Sequence, residues 1–339
     1  MANLRADTIS GIGSGGVTFE GVTKINTQNY FYLATGTTEQ QFPNFPGADA
    51  ASARGLFAGG YTVPSVTNVI EYITISSTGN SQDFGDLTTA RQDAHACASP
   101  VRGVFATSGA NTLDYVTIAS TGNAQDFGDA TRKDYSSATG NSTRGVYGGG
   151  NFPTRINTIE YITIANPGIA VDFGDLTTAR AALGACSSPT RAVFGGGYTG
   201  GGQTGSVNTI DYITTSTTGN AVSFGSLTTA KWFVTACSNS TRGLFAGGYT
   251  PAPGRTSVID YITIASTGNA ISFGNLTVAR AAASACASSI RGVFGGGSAA
   301  APVGDTNTID YVTIASTGNA VDFGDLAQST STRIKSACS

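Results

Sequence analysis

The sequence predicts an all-β fold: a six-bladed β-propeller closed by a C-terminal strand and preceded by an extended N-terminal β arm. Three observations predict it. One block recurs six times, opening at Arg54, Arg102, Arg144, Arg191, Arg242 and Arg291, with spacings of 48, 42, 47, 51 and 49 residues. A period of that size, built from short apolar runs and glycine turns, belongs to repeat β architectures. Each block divides into four runs of strand length separated by turn residues. Finally, the first block lacks the run that opens the others, and a surplus run, Arg333–Ser339, follows the last.

The arm, residues 1–53, matches no repeat. Met1–Gly16 is polar and glycine-rich, Val17–Ile25 alternates as a strand does, Asn29–Leu33 is a second apolar strand, and Gly36–Ala53 reads as a linker. A lone two-stranded hairpin is marginal in water. Residues 1–50 are therefore expected to order against another chain, by attachment or self-association.

The propeller is expected over 54–339. In the repeat at 180–226 the strands are Ala182–Ser187, Arg191–Gly197, Asn208–Thr215 and Ala221–Ser226, with Thr218-Gly219-Asn220 as a tight hairpin. The third strand is nearly continuously apolar, which suits a sheet covered on both faces. Ser336-Ala337-Cys338 repeats the wording of Ser284-Ala285-Cys286. Pairing it with the first block gives every blade an inner strand and leaves no central edge.

Composition narrows the function. Only 12% of the 339 residues are charged and 46 are glycine, against about 25% charge in average soluble domains. This suits a rigid β assembly better than an enzyme with a polar cleft. A net charge of −3 gives no basic footprint for nucleic acid. No apolar stretch reaches the roughly 18 residues of a membrane span. Met1–Arg5 lacks the apolar core of a signal peptide, so synthesis in the cytoplasm is expected.

The block order Leu-Thr-Thr-Ala-Arg, small-residue strand, Arg-x-Val-Phe-Gly-Gly, loop, acid-Tyr, Thr-Gly-Asn, Phe resembles the kelch repeat of β-propellers over residues 54–339. The paired glycines are Gly59-Gly60, Gly149-Gly150, Gly196-Gly197, Gly247-Gly248 and Gly296-Gly297. The acid-tyrosine pairs run from Glu71-Tyr72 to Asp310-Tyr311. The chain departs from that family in carrying Phe84, Phe127, Phe173, Phe224, Phe273 and Phe323 in place of its tryptophan, and Thr107-Ser108-Gly109 in place of one double glycine. The arm's wording, Ala-Asp-Thr-Ile-Ser-Gly, Val-Thr-Phe-Glu-Gly and Asn-Tyr-Phe-Tyr-Leu-Ala-Thr-Gly, resembles the leader of structural proteins of tailed bacteriophages, particularly those infecting cyanobacteria. That resemblance implies a virion protein whose arm meets other virion proteins.

Residues present once per blade read as architecture rather than chemistry. These include the Arg54 series and a second cation series, Arg91, Arg132, Arg180, Lys231, Arg280 and Arg333. Cys97, Cys186, Cys237, Cys286 and Cys338 occupy one inner-strand position, with Thr139 in the third blade. They are expected to form a ring about the axis, as small apolar packing without disulfide or metal. The Asp-Phe-Gly-Asp copies read as strand-end hydrogen bonding, and His95 as structural or channel-lining. No catalytic set and no cofactor site is expected.

Function is expected where the repeats differ. The loops joining strands two and three share a face with those joining strands four and one, and they vary most. Tyr61, Phe152, Tyr198 and Tyr249 are candidates to stack on sugars there, and Arg155 and Arg255 to bind acidic groups. The expected role is a non-enzymatic virion protein that displays the propeller outward as a tail-fibre or host-attachment component, contacting a host surface glycan or protein. Two alternatives stay open: a head or neck decoration protein, and a cellular kelch-type interaction module. A chain beginning at residue 51 is expected to fold as a soluble monomer but fail to enter particles; normal incorporation would remove the role given to the arm.

Overall fold

The computed structural model describes residues 32–35, 38–41, 54–62, 65–93, 95–106, 109–131, 133–200, 205–251, 254–300, 304–327 and 336–338. The chain divides into two compact units, Met1–Ala51 and Ser52–Ser339. The described part of the first is an antiparallel hairpin of Tyr32–Thr35 and Thr38–Gln41. Its second strand, Thr38–Gln41, falls inside the run read as a linker, Gly36–Ala53, where pairing gives a polar stretch backbone partners that its side chains do not advertise; residues 29–31, 36, 37 and 42–53 lie outside the described residues. Val17–Ile25 lies outside the described residues.

The second unit is a six-bladed β-propeller of four-stranded antiparallel sheets. Blade 1 takes its inner strand from Ser336–Cys338 and continues with Arg54–Ala58, Val69–Thr74 and Gln82–Asp86. The inner strands of blades 2 to 6 are His95–Ala98, Ser137–Gly140, Gly184–Ser187, Thr235–Ser238 and Ser284–Ala287. Each of these five blades then runs outward through three further strands in chain order, with Ser298–Ala299 intervening in blade 6 to pair with Arg280–Ala281. The six inner strands neighbour one another in cyclic order. The joint is made by Leu56 facing Cys338 and Phe57 facing Ala337.

The core lies between blades rather than within them. Val146, Ile159 and Phe173 of blade 3 pack with Leu183, Phe194 and Ile213 of blade 4, and the other five clusters likewise span two neighbours. A bulge builds each one. In blade 1, Ile70 faces Gly85 and Glu71 faces Asp83, which leaves Phe84 as the extra residue. The slip recurs in every blade. It turns the outer-strand phenylalanine inward, edge-on to the tyrosine of the acid-tyrosine pair, with centroids 5.8–6.0 Å apart.

The Thr-Gly-Asn segments are not tight hairpins. The chain turns earlier, as in the bond from the Thr217 amide to the Thr214 carbonyl, and then runs onto the preceding blade. The Gly219 and Ala221 amides donate to the Phe173 and Asp175 carbonyls at 2.7 Å, and Asn220 Oδ1 accepts from the Asp175 amide at 3.0 Å. All six junctions repeat the two backbone bonds, including Gly79 on Phe323. Gly174, at φ +143°, is required there, since a Cβ would overlap the Gly219 carbonyl.

The remaining repeat residues also cross between blades. Each arginine of the first series stacks on its own blade's tyrosine, 4.5–4.9 Å from the ring centroid. It also donates to a carbonyl at the end of the next blade's third strand, as Arg191 does to Ile264 at 2.9 Å. The second series forms buried ion pairs with the acid of the next blade: Arg91–Asp114, Lys133–Glu160, Arg180–Asp211, Lys231–Asp260 and Arg280–Asp310. The third blade's cation position thus belongs to Lys133, not to Arg132 as the repeat alignment suggests; Arg132 and Arg333 lie outside the described residues. The first threonine of Leu-Thr-Thr-Ala-Arg completes each pair, as Thr177 Oγ1 does on Asp211 at 2.8 Å.

The cysteines do not ring the axis. Ala96, Ala138, Ala185, Ala236, Ala285 and Ala337 line the axial cavity. The cysteine one residue on points the other way, as strand alternation requires. Its Sγ seats against a second-strand glycine of the next blade: Cys97 on Gly145, Cys186 on Gly243, Cys237 on Gly292, Cys286 on Gly55 and Cys338 on Gly103. Blade 3, with Thr139, is followed by the blade carrying Ala192 at that glycine position. Burial pushes the Cys97 and Cys237 thiols up to about 12. Gly145→Ala is expected to lower stability by about 1–3 kcal/mol through overpacking. Adding Cys97→Ala should recover part of that loss in a chemical-denaturation cycle, and strict additivity would remove the proposed fit.

Candidate functional site: an arginine and aromatic ladder on the variable face

The variable face is held open by backbone pairing. Isolated bridges tie Asn151 to Arg155, Tyr198 to Ser206, and Tyr249 to Arg255 within the loops between strands two and three. Further bridges tie these loops to the segments entering the next inner strand, Ala181 to Tyr198 and Trp232 to Tyr249. The two sets of loops therefore do share one face.

On that face four of the six candidate residues come into one cluster. Arg155 lies over the Tyr198 ring at 4.6 Å. Tyr198 meets Trp232 at 5.1 Å, and Trp232 meets Tyr249 at 4.9 Å with the planes 30° apart. Arg255 lies over Tyr249 at 5.0 Å. The series Arg155–Tyr198–Trp232–Tyr249–Arg255 crosses the loops of blades 3, 4 and 5 with a cation at each end. Phe233 packs on Trp232 at 4.8 Å and meets Tyr135 edge-on at 5.4 Å. Tyr61 stands apart on blade 1, opening a small hairpin with Ser65–Val66. Phe152 is exposed, in the loop that carries Arg155.

The ladder changes what the tyrosines offer. Tyr198 and Tyr249 each already carry a guanidinium over the ring, and Trp232 lies near-parallel to Tyr249 and tilted at 58° to Tyr198, which leaves less open ring face for a sugar than the sequence suggests. Their edges and hydroxyls remain. The arginines differ from each other. Arg255 is pinned by Nε to the Ser298 carbonyl at 2.9 Å and by a second nitrogen to Ser298 Oγ at 3.0 Å. Arg155 is the one arginine of the described residues with no hydrogen-bond acceptor, and its Nε is buried.

Sequence reasoning missed Trp232, Phe233 and Tyr135. The signal was present as a break in the repeat. Trp232-Phe233 follows Lys231 where the neighbouring blades read Ala181-Ala182 and Ala281-Ala282, and Trp232 is the chain's single tryptophan. The backbone at this point is unusual. Asp93, Tyr135, Ala182, Phe233 and Ala282 all adopt left-handed φ of 50–57°, a conformation uncommon for side-chain-bearing residues. A hydrogen-bonded belt offsets the strain: the Ala182 amide donates to Tyr135, Phe233 to Ala182, and Ala282 to Phe233. The small Ala182 lets Tyr135 and Phe233 meet past it.

The axial cavity is lined by the alanines together with His95, Ser137, Thr235 and Ser284. It holds about 70 Å³, well short of the roughly 300 Å³ at which small-molecule pockets begin. Among the described residues no group of three or more His, Cys, Asp or Glu side chains is placed to hold a metal ion. No protein-family model matches the chain, and no curated protein is significantly similar to it.

His95 is 7% exposed and its Nε2 has no hydrogen-bond partner. Desolvation lowers its pKa to about 4, partly opposed by the charge of Asp134. An imidazole depressed from 6.5 to about 4 binds its proton more tightly in the unfolded chain, so stability falls as pH drops from about 6.5 to about 4. The contribution is on the order of 3 kcal/mol. His95→Gln should flatten this part of the stability-versus-pH curve, and an unchanged slope would assign acid sensitivity to other groups.

Proposed function

We propose that the protein is a non-enzymatic recognition propeller of a tailed-phage virion, displaying its variable loop face to the host surface as a tail-fibre or attachment component. The observation that carries the reading is the ladder. The residues repeated in every blade are absorbed by contacts between neighbours, whereas Arg155, Tyr198, Trp232, Tyr249 and Arg255 form a unique surface on one side. Aromatic and arginine side chains are the residue types that dominate binding hot spots. The virion assignment draws its support from the wording of the arm.

A decoration role without host contact competes with this reading, and one experiment separates them. Labelled full-length protein is titrated onto intact cells of a bacterial panel that includes cyanobacteria, and antibody labelling locates the chain on particles. Recognition predicts saturable cell binding that Trp232→Ala weakens at least about tenfold while the circular dichroism spectrum is retained. Particle labelling without cell binding favours the decoration role.

A further inference from the structure

Resting on the recognition reading, we propose that the ladder binds an acidic polysaccharide, with its carboxylate or sulfate groups held by Arg155 and Arg255 and its hydroxyls by the phenols of Tyr198 and Tyr249. Every other arginine of the described residues donates to a carbonyl, hydroxyl or carboxylate. Arg155 donates to none, and its Nε is shielded from water without a partner. Arg255 is oriented by Ser298 and forms no ion pair among the described residues. Two cations that form no ion pair among the described residues are complementary to an anionic ligand, and a planar guanidinium suits a carboxylate or sulfate oxygen pair.

The rings narrow the class. Because Tyr198, Trp232 and Tyr249 pack on one another and Trp232 Nε1 is buried, a ligand meets ring edges and phenol hydroxyls more than open π-faces. Such a surface favours a hydroxyl-rich partner. Bases of a single-stranded nucleic acid need open stacking platforms and a positive groove, and this chain carries a net charge of −3. An apolar protein partner fits poorly too, since among the described residues Phe152 is the one exposed large hydrophobic in the loops that build the ladder. The cations stand at opposite ends, with three rings in the series between them. A ligand that engages both must be longer than one sugar, and its affinity should rise with chain length until both ends are occupied.

The test uses the full-length protein and four fixed probes: polygalacturonate, dextran sulfate, neutral dextran and oligothymidylate, each by calorimetric titration at low and moderate salt. The expected result is binding to polygalacturonate or dextran sulfate, weakened by salt and by shortening the oligomer, with neutral dextran inert. Response to one or the other anionic probe distinguishes carboxylate from sulfate recognition. Arg155→Ala should weaken binding about tenfold and Arg155→Ala with Arg255→Ala about a hundredfold, each charged contact contributing roughly one decade. Arg155→Lys should retain part of the affinity. No anionic-glycan binding, equal binding of neutral dextran, tighter binding of oligothymidylate, or indifference to the double substitution overturns the proposal. Should the protein bind cells yet ignore both anionic glycans, recognition stands and this ligand class falls. Should it bind the glycans but no cell, the host-attachment reading falls instead.

Discussion

The buried cation at the end of one blade and the carboxylate in the third strand of the next govern much of this structure. Arg180 and Asp211 are both fully enclosed, and burial pushes the guanidinium pKa down while Asp211 pulls it back. Such a pair adds little net stability, because desolvation offsets the attraction. Removing one partner leaves an uncompensated buried charge, which costs about 3–5 kcal/mol. The pair thus acts as a register pin: a blade that rotates or slides against its neighbour strands two charges away from water. Around it, the glycine latch on the bulged outer strand and the cysteine set against a glycine fix the same junction from the rim and from the centre.

This explains why the fold was legible and why the contacts across each junction were not. The six-fold wording, the four runs per block and the surplus Ser336-Ala337-Cys338 determine blade number and closure, because a ring must pair every inner strand. Direction across a junction is harder to read. That Cys97 serves blade 3, that Asn220 serves blade 3 from blade 4, and that Lys133 rather than Arg132 meets Glu160 depend on three-dimensional offsets between repeats. One such offset did leave a trace in the letters, in the joint exchange of cysteine for Thr139 and glycine for Ala192.

The ladder was half-visible for a related reason. Tyr198, Tyr249, Arg155 and Arg255 stand out as large side chains in loops of unequal length. Trp232 and Phe233 sit beside a residue of the repeat itself, and what marks them is replacement of the alanines found in neighbouring blades. In a repeat protein the departures from the consensus carry the individual information, in the short connections as much as in the long ones. The positive φ of Phe233 adds a constraint on that information, since an aromatic residue is held in a backbone state that alanine or glycine tolerates more readily.

The pairing of Ser336–Cys338 with Arg54–Ala58 also imposes an order in time. A ribosome releases residues 54–86 early, yet the inner strand of that blade is about 280 residues further along the message. Blades 2 to 6 each have all four strands in one continuous stretch and can assemble as they emerge. Blade 1 must wait as three strands with an open inner edge, a template for pairing with the wrong chain. The last step of folding is then a long-range closure of the slow, topology-limited kind. A cell making this protein in quantity is most exposed to aggregation in the interval before that final strand arrives.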